Sequence, residues 1–329
     1  MIERAVNFGR LRCMRCATCS NDWPVDAEWV NRFHQGHEVC PNCGSNCETE
    51  ARPDFWAPKE DLSYDDSKVL ETFWYHTSTH ANWPDRSFDP AVTITETTKQ
   101  RLRRTRADGS GLERWIARQR TKALHLGTYE AAIENMLRRM ANQAGANQQF
   151  YLYRVRLQHD ATVEPGVQPE RANISGDVQL TDLSADVLGY VNTHEDPSSI
   201  SLAVRIEAIL AVQRMHIPMA VNIAEAWVST ASARLADAAF LPASTPRTKL
   251  EQLQQRMPSA LSVEALKLEE GVAGGLPYRL RSKFHRLFDE QDLLADPTAF
   301  PAKLMGLSRL VSDPLKALEL LDTQPWREV

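Results

Sequence analysis

Leu124-His125-Leu126-Gly127-Thr128-Tyr129, running on through Met140, is the stretch from which the fold can be read. Its first half has the composition of a short strand. Its second half places Ile133, Met136, Leu137 and Met140 at the i, i+3, i+4, i+7 spacing that lays an apolar stripe along one helix face. Thr128 stands at the junction, where a hydroxyl oxygen can accept from a free N–H of the first helical turn. The reading is therefore strand, capped turn, helix.

The flanking segments extend this pattern. Phe73-Trp74-Tyr75-His76-Thr77 is predicted as a strand by its aromatic enrichment. Phe150 to Leu157 alternates, with Tyr153, Val155 and Leu157 on one face, and Ser199 to Val204 alternates with Ile200, Leu202 and Val204. Beyond Ile217 the chain changes character. Ala- and Leu-rich stretches (Ala224 to Ala239, Lys249 to Met257, Tyr278 to Leu294) are punctuated by prolines such as Pro242, Pro277, Pro297 and Pro314, as expected of short helices with proline stops. Glu48 to Ser67 is acidic and rich in Pro, Asp and Ser, which reads as a linker. The expected class is α+β in three units: residues 1–60, 61–216, and an all-α region over 217–329.

The first unit carries all six cysteines, between Cys13 and Cys47. Cys16-Ala17-Thr18-Cys19 and Cys40-Pro41-Asn42-Cys43 are two C-x-x-C knuckles, and two knuckles complete a tetrahedron of thiolates around one zinc ion. Four thiolates leave no open position, so a structural role is expected. Gly44 supplies permissive backbone after the second knuckle. Cys13 and Cys47, and His34 or His37, remain alternative ligands. Trp23, Trp29 and Phe33 are the expected miniature core of a zinc ribbon.

Length and charge narrow the functional classes. The 329 residues carry 38 basic and 43 acidic side chains, a net charge of −5, so no global field attracts nucleic acid or an anionic membrane. No apolar run reaches the ~20 residues of a membrane span. The opening Met1-Ile2-Glu3-Arg4-Ala5-Val6 lacks the apolar region of a secretory signal. Clustered rather than scattered cysteines suit a reducing compartment, and a cytoplasmic location without membrane contact is expected.

Three segments carry candidate chemistry: Tyr75-His76-Thr77-Ser78 at a strand end, the strand–turn–helix with Thr128 and Tyr129, and His194-Glu195-Asp196 before a late strand. Their order resembles the ADP-ribosyltransferase superfamily, in its His-Tyr-Glu branch of diphtheria-toxin-like and poly(ADP-ribose) polymerase-like enzymes. The resemblance covers about 130 residues, from Val69 to Val204. It implies a split β-sheet catalytic domain and toxin-like NAD chemistry. His76, with Thr77 beside it, would bind an NAD ribose hydroxyl. Tyr129, with Thr128 beside it, would stack on nicotinamide, with Tyr151 or Tyr153 as alternatives. Glu195 would bond the nicotinamide-ribose 2′-hydroxyl, with Asp196 as the competing acid. Thr77 departs from the family pattern, which has glycine there.

A basic run from Lys99 to Lys122, including Arg101, Arg103, Arg104, Arg106, Arg114 and Arg118, stands out on an acidic chain. It could meet the NAD pyrophosphate or a nucleic-acid backbone, with Trp115 as a stacking partner. A Gly-x-Gly-x-x-Gly fingerprint, a Walker loop, a Gly-x-Ser-x-Gly elbow and a His-Glu-x-x-His pair are absent from the sequence, so redox use of NAD is not expected. Two further functions compete with NAD chemistry: a non-enzymatic nucleic-acid-binding module, and a scaffold whose helical region holds a partner such as an inhibitor protein.

Overall fold

A computed structural model of the chain describes residues 1–46, 52–106, 108–142, 148–170, 178–240, 259–284 and 290–329. Cys47 and the Lys249 to Met257 stretch lie outside the described residues.

The architecture is mixed α+β with several sheets. The first is three-stranded, in the order β2-β1-β3, from β1 (Arg12–Cys16), β2 (Asp22–Val25) and β3 (Pro53–Trp56). Helix α1 (Ala27–His34) is capped by the Asp26 carboxylate, which accepts from the Trp29 N–H. Met14, Val25, Val30, Phe33 and Phe55 form a separate small core, with Trp23 and Trp29 against it. The expected aromatic core is present, enlarged by Met14 and Phe55. The expected linker is corrected in part: Pro53–Trp56 pairs antiparallel with β1, because Phe55 buries its ring in that core.

After α2 (Asp66–Glu71) come the strands of two larger sheets. Sheet A contains β4 (Trp74–Ser78), β6 (Phe150–Leu157), β10 (Ile209–Ile217) and β11 (Arg327–Glu328), in the order β11-β10-β6-β4. Sheet B contains β5 (Leu124–Leu126), β7 (Val163–Gln168), β8 (Val187–Val191) and β9 (Ile200–Val204), in the order β5-β9-β8-β7. Trp74, Tyr153, Val155, Leu157 and Val212 from sheet A share one core with Leu126, Val187, Val191, Ile200, Leu202 and Val204 from sheet B. The sheets join at one bridge, where Tyr75 and Gly127 exchange both N–H···O bonds at 2.9 Å. A Cβ on Gly127 would lie 2.9 Å from Ala131 Cβ, so only glycine lets strand, helix and bridge meet there.

Helix α5 (Tyr129–Asn142) follows α3 (Glu96–Arg103) and α4 (Gly111–Arg120) in sequence and lies on the other face of sheet A. Its stripe of Ile133, Met136, Leu137 and Met140 is buried, as the spacing predicts. The stripe is shared with α6 (Ala226–Ala239), α7 (Ala260–Gly274), the short turn α8 (Tyr278–Arg281), α9 (Glu290–Ala295), α10 (Ala299–Ser312) and α11 (Pro314–Asp322). Two expectations for residues 217–329 therefore change. The described helices share one core with α5 and sheet A, whose apolar side they cover. The chain then returns as β11 to pair with β10, so the region is not all-α. None of the described helices is long and apolar enough to cross a membrane.

Candidate functional site

The bridge between the sheets leaves a cleft of about 230 Å3, lined among others by His76, Thr77, His125, Asn135, Arg138, Tyr190 and Glu195. His76 comes from β4, on the same side of the strand as Trp74, and its ring stacks on Trp83 at 4.0 Å. Its Nδ1 lies 2.9 Å from the carbonyl oxygen of His125, so Nδ1 carries the proton and Nε2 keeps its lone pair. Burial pulls the His76 pKa down to about 3, and His125 down to about 4. Both rings are neutral near pH 7. His125 Nδ1 meets the Tyr190 hydroxyl at 2.9 Å, and its buried Nε2 has no partner among the described residues.

Glu195 sits in the loop between β8 and β9. The Asn192 side-chain oxygen accepts from the backbone N–H groups of His194 (3.0 Å) and Glu195 (2.9 Å), forming a turn that presents the Glu195 carboxylate. One carboxylate oxygen accepts from Arg138 Nε at 2.7 Å and from Asn135 Nδ2 at 3.2 Å. These donors stand at i and i+3 on the polar edge of α5, so helix and loop fix the acid jointly.

Asp196 faces the other way. It is fully buried at φ 50°, ion-paired to Arg10 and Arg12 at 3.1 Å each, and accepts from the Thr128 hydroxyl at 2.9 Å. Cys13 N–H donates to Ser198 Oγ, which donates back to the Cys13 carbonyl oxygen. Residues 10–13 thus clamp the outside of the loop whose inner side carries Glu195. Of the two competing acids, only Glu195 lines the cleft.

The expected tyrosine and its neighbour lie elsewhere. Tyr129 is 2% exposed, packs edge-on to Phe8 and Tyr75, and donates its hydroxyl to the Leu310 carbonyl oxygen. Thr128 is the helix cap, accepting from the Ala131 N–H at 3.0 Å. Neither lines the cleft, because the first turn of α5 is spent on capping and core packing. Tyr153 is also core, its hydroxyl on the His80 carbonyl oxygen, and Tyr151 is not among the cleft residues. The aromatic group of the cleft that the sequence did not single out is Tyr190. Its strand β8 is interrupted by Gly189 and lacks alternation, so no periodic signal marks it.

Glu130, next to Tyr129, is 6% exposed and accepts from the Asn7 N–H at 2.6 Å. Burial, reinforced by the Asp196 charge, pushes its pKa up from 4.5 to about 7. A carboxyl raised in this way holds its proton better in the folded chain. Its contribution to stability is therefore present below pH 4.5 and is lost as pH rises towards 7, on the order of 3 kcal/mol. The depressed His76 and His125 act in the opposite sense, so the comparison must be differential. Glu130→Gln is expected to make urea stability fall less between pH 5 and 7.5 than in the parent; parallel pH profiles for the two proteins would refute the assignment.

The second site is the cysteine cluster. The sulfurs of Cys16, Cys19, Cys40 and Cys43 lie within 4.8 Å of one another. Cys16 and Cys43 are 3.6 Å apart, and Cys19 and Cys40 3.7 Å. A tetrahedral ion bonded to sulfur at 2.3 Å requires edges of about 3.8 Å. The donor set thus fits a metal ion such as zinc. Each knuckle ends in a left-handed residue, Gly44 at φ 72° and, without a glycine, Ser20 at φ 56°. Cys13, His34 and His37 are outside the cluster.

No family model, curated protein or solved structure matches the chain. The functional reading therefore rests on the site itself.

Proposed function

We propose that the protein cleaves NAD at the bond between nicotinamide and ribose and passes the ADP-ribosyl unit to a macromolecular acceptor, or to water as an NAD glycohydrolase. The observation that carries the reading is the meeting of His76 and Glu195, separated by 118 intervening residues, in one cleft between the sheets. Cleavage builds positive charge on the sugar, an oxocarbenium-like state. Glu195, aimed by Asn135 and Arg138, stabilises that charge more in the transition state than in the ground state. His76 offers a neutral Nε2 as acceptor for a ribose hydroxyl. Nicotinamide leaves as a neutral group, so no strong general acid is needed. Tyr190 takes the aromatic role that the family pattern assigns to Tyr129.

The 230 Å3 cleft suits the nicotinamide-ribose end rather than a whole dinucleotide. A neighbouring groove of about 1150 Å3, bordered by Arg86, Arg120, Lys122 and Arg139, suits the anionic remainder. The test is release of nicotinamide from labelled NAD by the parent protein and by Glu195→Gln. We also assign zinc to the four cysteines, in a structural role.

A second reading, nucleic-acid binding without catalysis, draws on the exposed Arg101, Arg103, Arg104, Arg106 and Arg114 of α3, α4 and their connection. It predicts salt-dependent binding, with the log–log salt slope falling by roughly 2–3 when Arg101, Arg103 and Arg104 are neutralised together. An unchanged slope removes this reading.

A further inference from the structure

A cavity of about 650 Å3 lies at the junction of α1, the clamp at residues 10–13, the β8–β9 loop and α8. Five cationic side chains line it: Arg10, Arg12, Arg279, Arg281 and Lys283. The carboxylates that answer them, Asp196 and Glu134, are buried behind the wall, 0% and 1% exposed. Asp196 pairs with Arg10 and Arg12, and Glu134 pairs with Arg279 and Lys283 at 2.7 and 2.5 Å. Among the described residues, five positive charges against two negative leave an excess of three in a concave space, on a chain whose net charge is −5. Low-dielectric walls concentrate the field of such an excess and favour an anion.

A second observation points to a ligand. Arg12 is 96% buried, and its Nη1 has no hydrogen-bond partner among the described residues. Arg12 also lines the cavity, so a shift of its guanidinium would bring that unmet donor to an anionic oxygen and recover the cost of leaving it unpaired. The guanidinium forks of Arg10, Arg12 and Arg281 suit the oxygens of a phosphate better than point charges would. At the mouth Tyr278 is 57% exposed, with the Arg281 guanidinium 5.9 Å from its ring centre. An exposed aromatic face beside a cation is a platform on which a nucleobase stacks. The cavity volume falls in the range of small-ligand pockets, roughly 300–1,000 Å3.

We infer that this cavity binds a phosphate-bearing nucleotide unit, with the phosphate against Arg10, Arg12 and Arg281 and the base against Tyr278. The site is separate from the NAD cleft and stands independently of the NAD reading. The β8–β9 loop divides the two, with Thr193 and His194 on this side and Asn192 and Glu195 on the other. Arg279 Nη2 donates to the His194 carbonyl oxygen at 2.9 Å, so an occupant would press on the loop that carries Glu195.

The full, zinc-loaded chain would be titrated with AMP, with a 5′-phosphorylated oligoadenylate and with inorganic phosphate. Saturable AMP binding is expected, weakened at least tenfold by Arg281→Glu and several-fold by Tyr278→Ala. Both side chains are exposed, so these variants keep the fold. Arg120→Glu, in the groove assigned to the anionic end of NAD, should leave this binding unchanged, which distinguishes the cavity from the NAD site. Tighter binding of the oligonucleotide than of AMP identifies a strand as the source of the phosphate, and equal binding a free nucleotide. Three results overturn the proposal: no saturable binding of AMP or the oligonucleotide, binding insensitive to Arg281→Glu, or phosphate binding as tightly as AMP with Tyr278→Ala silent.

Discussion

Glu195→Gln is expected to reduce nicotinamide release from NAD by about 100- to 1,000-fold, the range seen when one preorganised electrostatic stabiliser is removed from an active site. The substitution deletes the negative charge proposed to face the cationic sugar while keeping shape and hydrogen-bonding capacity. The loop should hold its conformation, because its turn is made by Asn192 and its outer side by Asp196 and Ser198, none of which depends on the Glu195 charge. The loss should therefore fall on kcat, with a thermal midpoint close to the parent's. Equal turnover by the variant would remove Glu195 from the mechanism, and a parent protein that releases no nicotinamide would remove the NAD reading altogether.

Stripping the metal from Cys16, Cys19, Cys40 and Cys43 is expected to unfold the ribbon. Binding at a four-thiolate site contributes roughly 10–16 kcal/mol that is coupled to folding, and the ribbon's own core is only a handful of side chains. Hydrogen exchange with and without a chelator is the measurement: protection should vanish over β1, β2, α1 and β3. A spread into the β8–β9 loop is also expected, since Cys13 holds Ser198 and Arg12 holds Asp196. Trp74 and Leu202, in the shared core of the two sheets, should stay protected. Unchanged exchange throughout β1–β3 would show that the four cysteines hold no structural metal. Collapse of both large sheets together would show that ribbon and body fold as one unit.

The physical connection between these two predictions is the clamp. The four-cysteine cluster lies outside the cleft, yet the strand carrying its first cysteine also supplies Arg12 and Cys13 to the loop that presents Glu195. Coupling of this kind needs only a shared segment with two sets of partners. It gives the ribbon a positioning role that its motif does not announce.

Local patterns were legible in the sequence where spacing in the chain equals spacing in space. The two knuckles, the capped helix with its buried stripe, the alternating strands β6 and β9, and the mixed α+β class all follow from periods of two to four residues or from knuckle spacing. Non-local packing made the rest. Tyr129 sits one residue past the cap, yet Phe8 and Tyr75 make its ring core and the helices of residues 217–329 give its hydroxyl the Leu310 carbonyl oxygen. Glu195 and Asp196 are adjacent and chemically alike; Arg10 and Arg12, some 185 residues away, turn one inward and leave the other to the cleft. Asn135, Arg138, His125 and Tyr190 became site residues only when α5 and the two sheets came together. The sequence by itself determined the two cysteine knuckles, the capped helix α5 and the strands with a clear period, because those depend on neighbouring residues. Strands β3, β8 and β11 were instead decided by the partners they pair with. Tertiary structure alone decided which polar side chains share a cavity, because burial and charge pairing depend on partners distant in the chain.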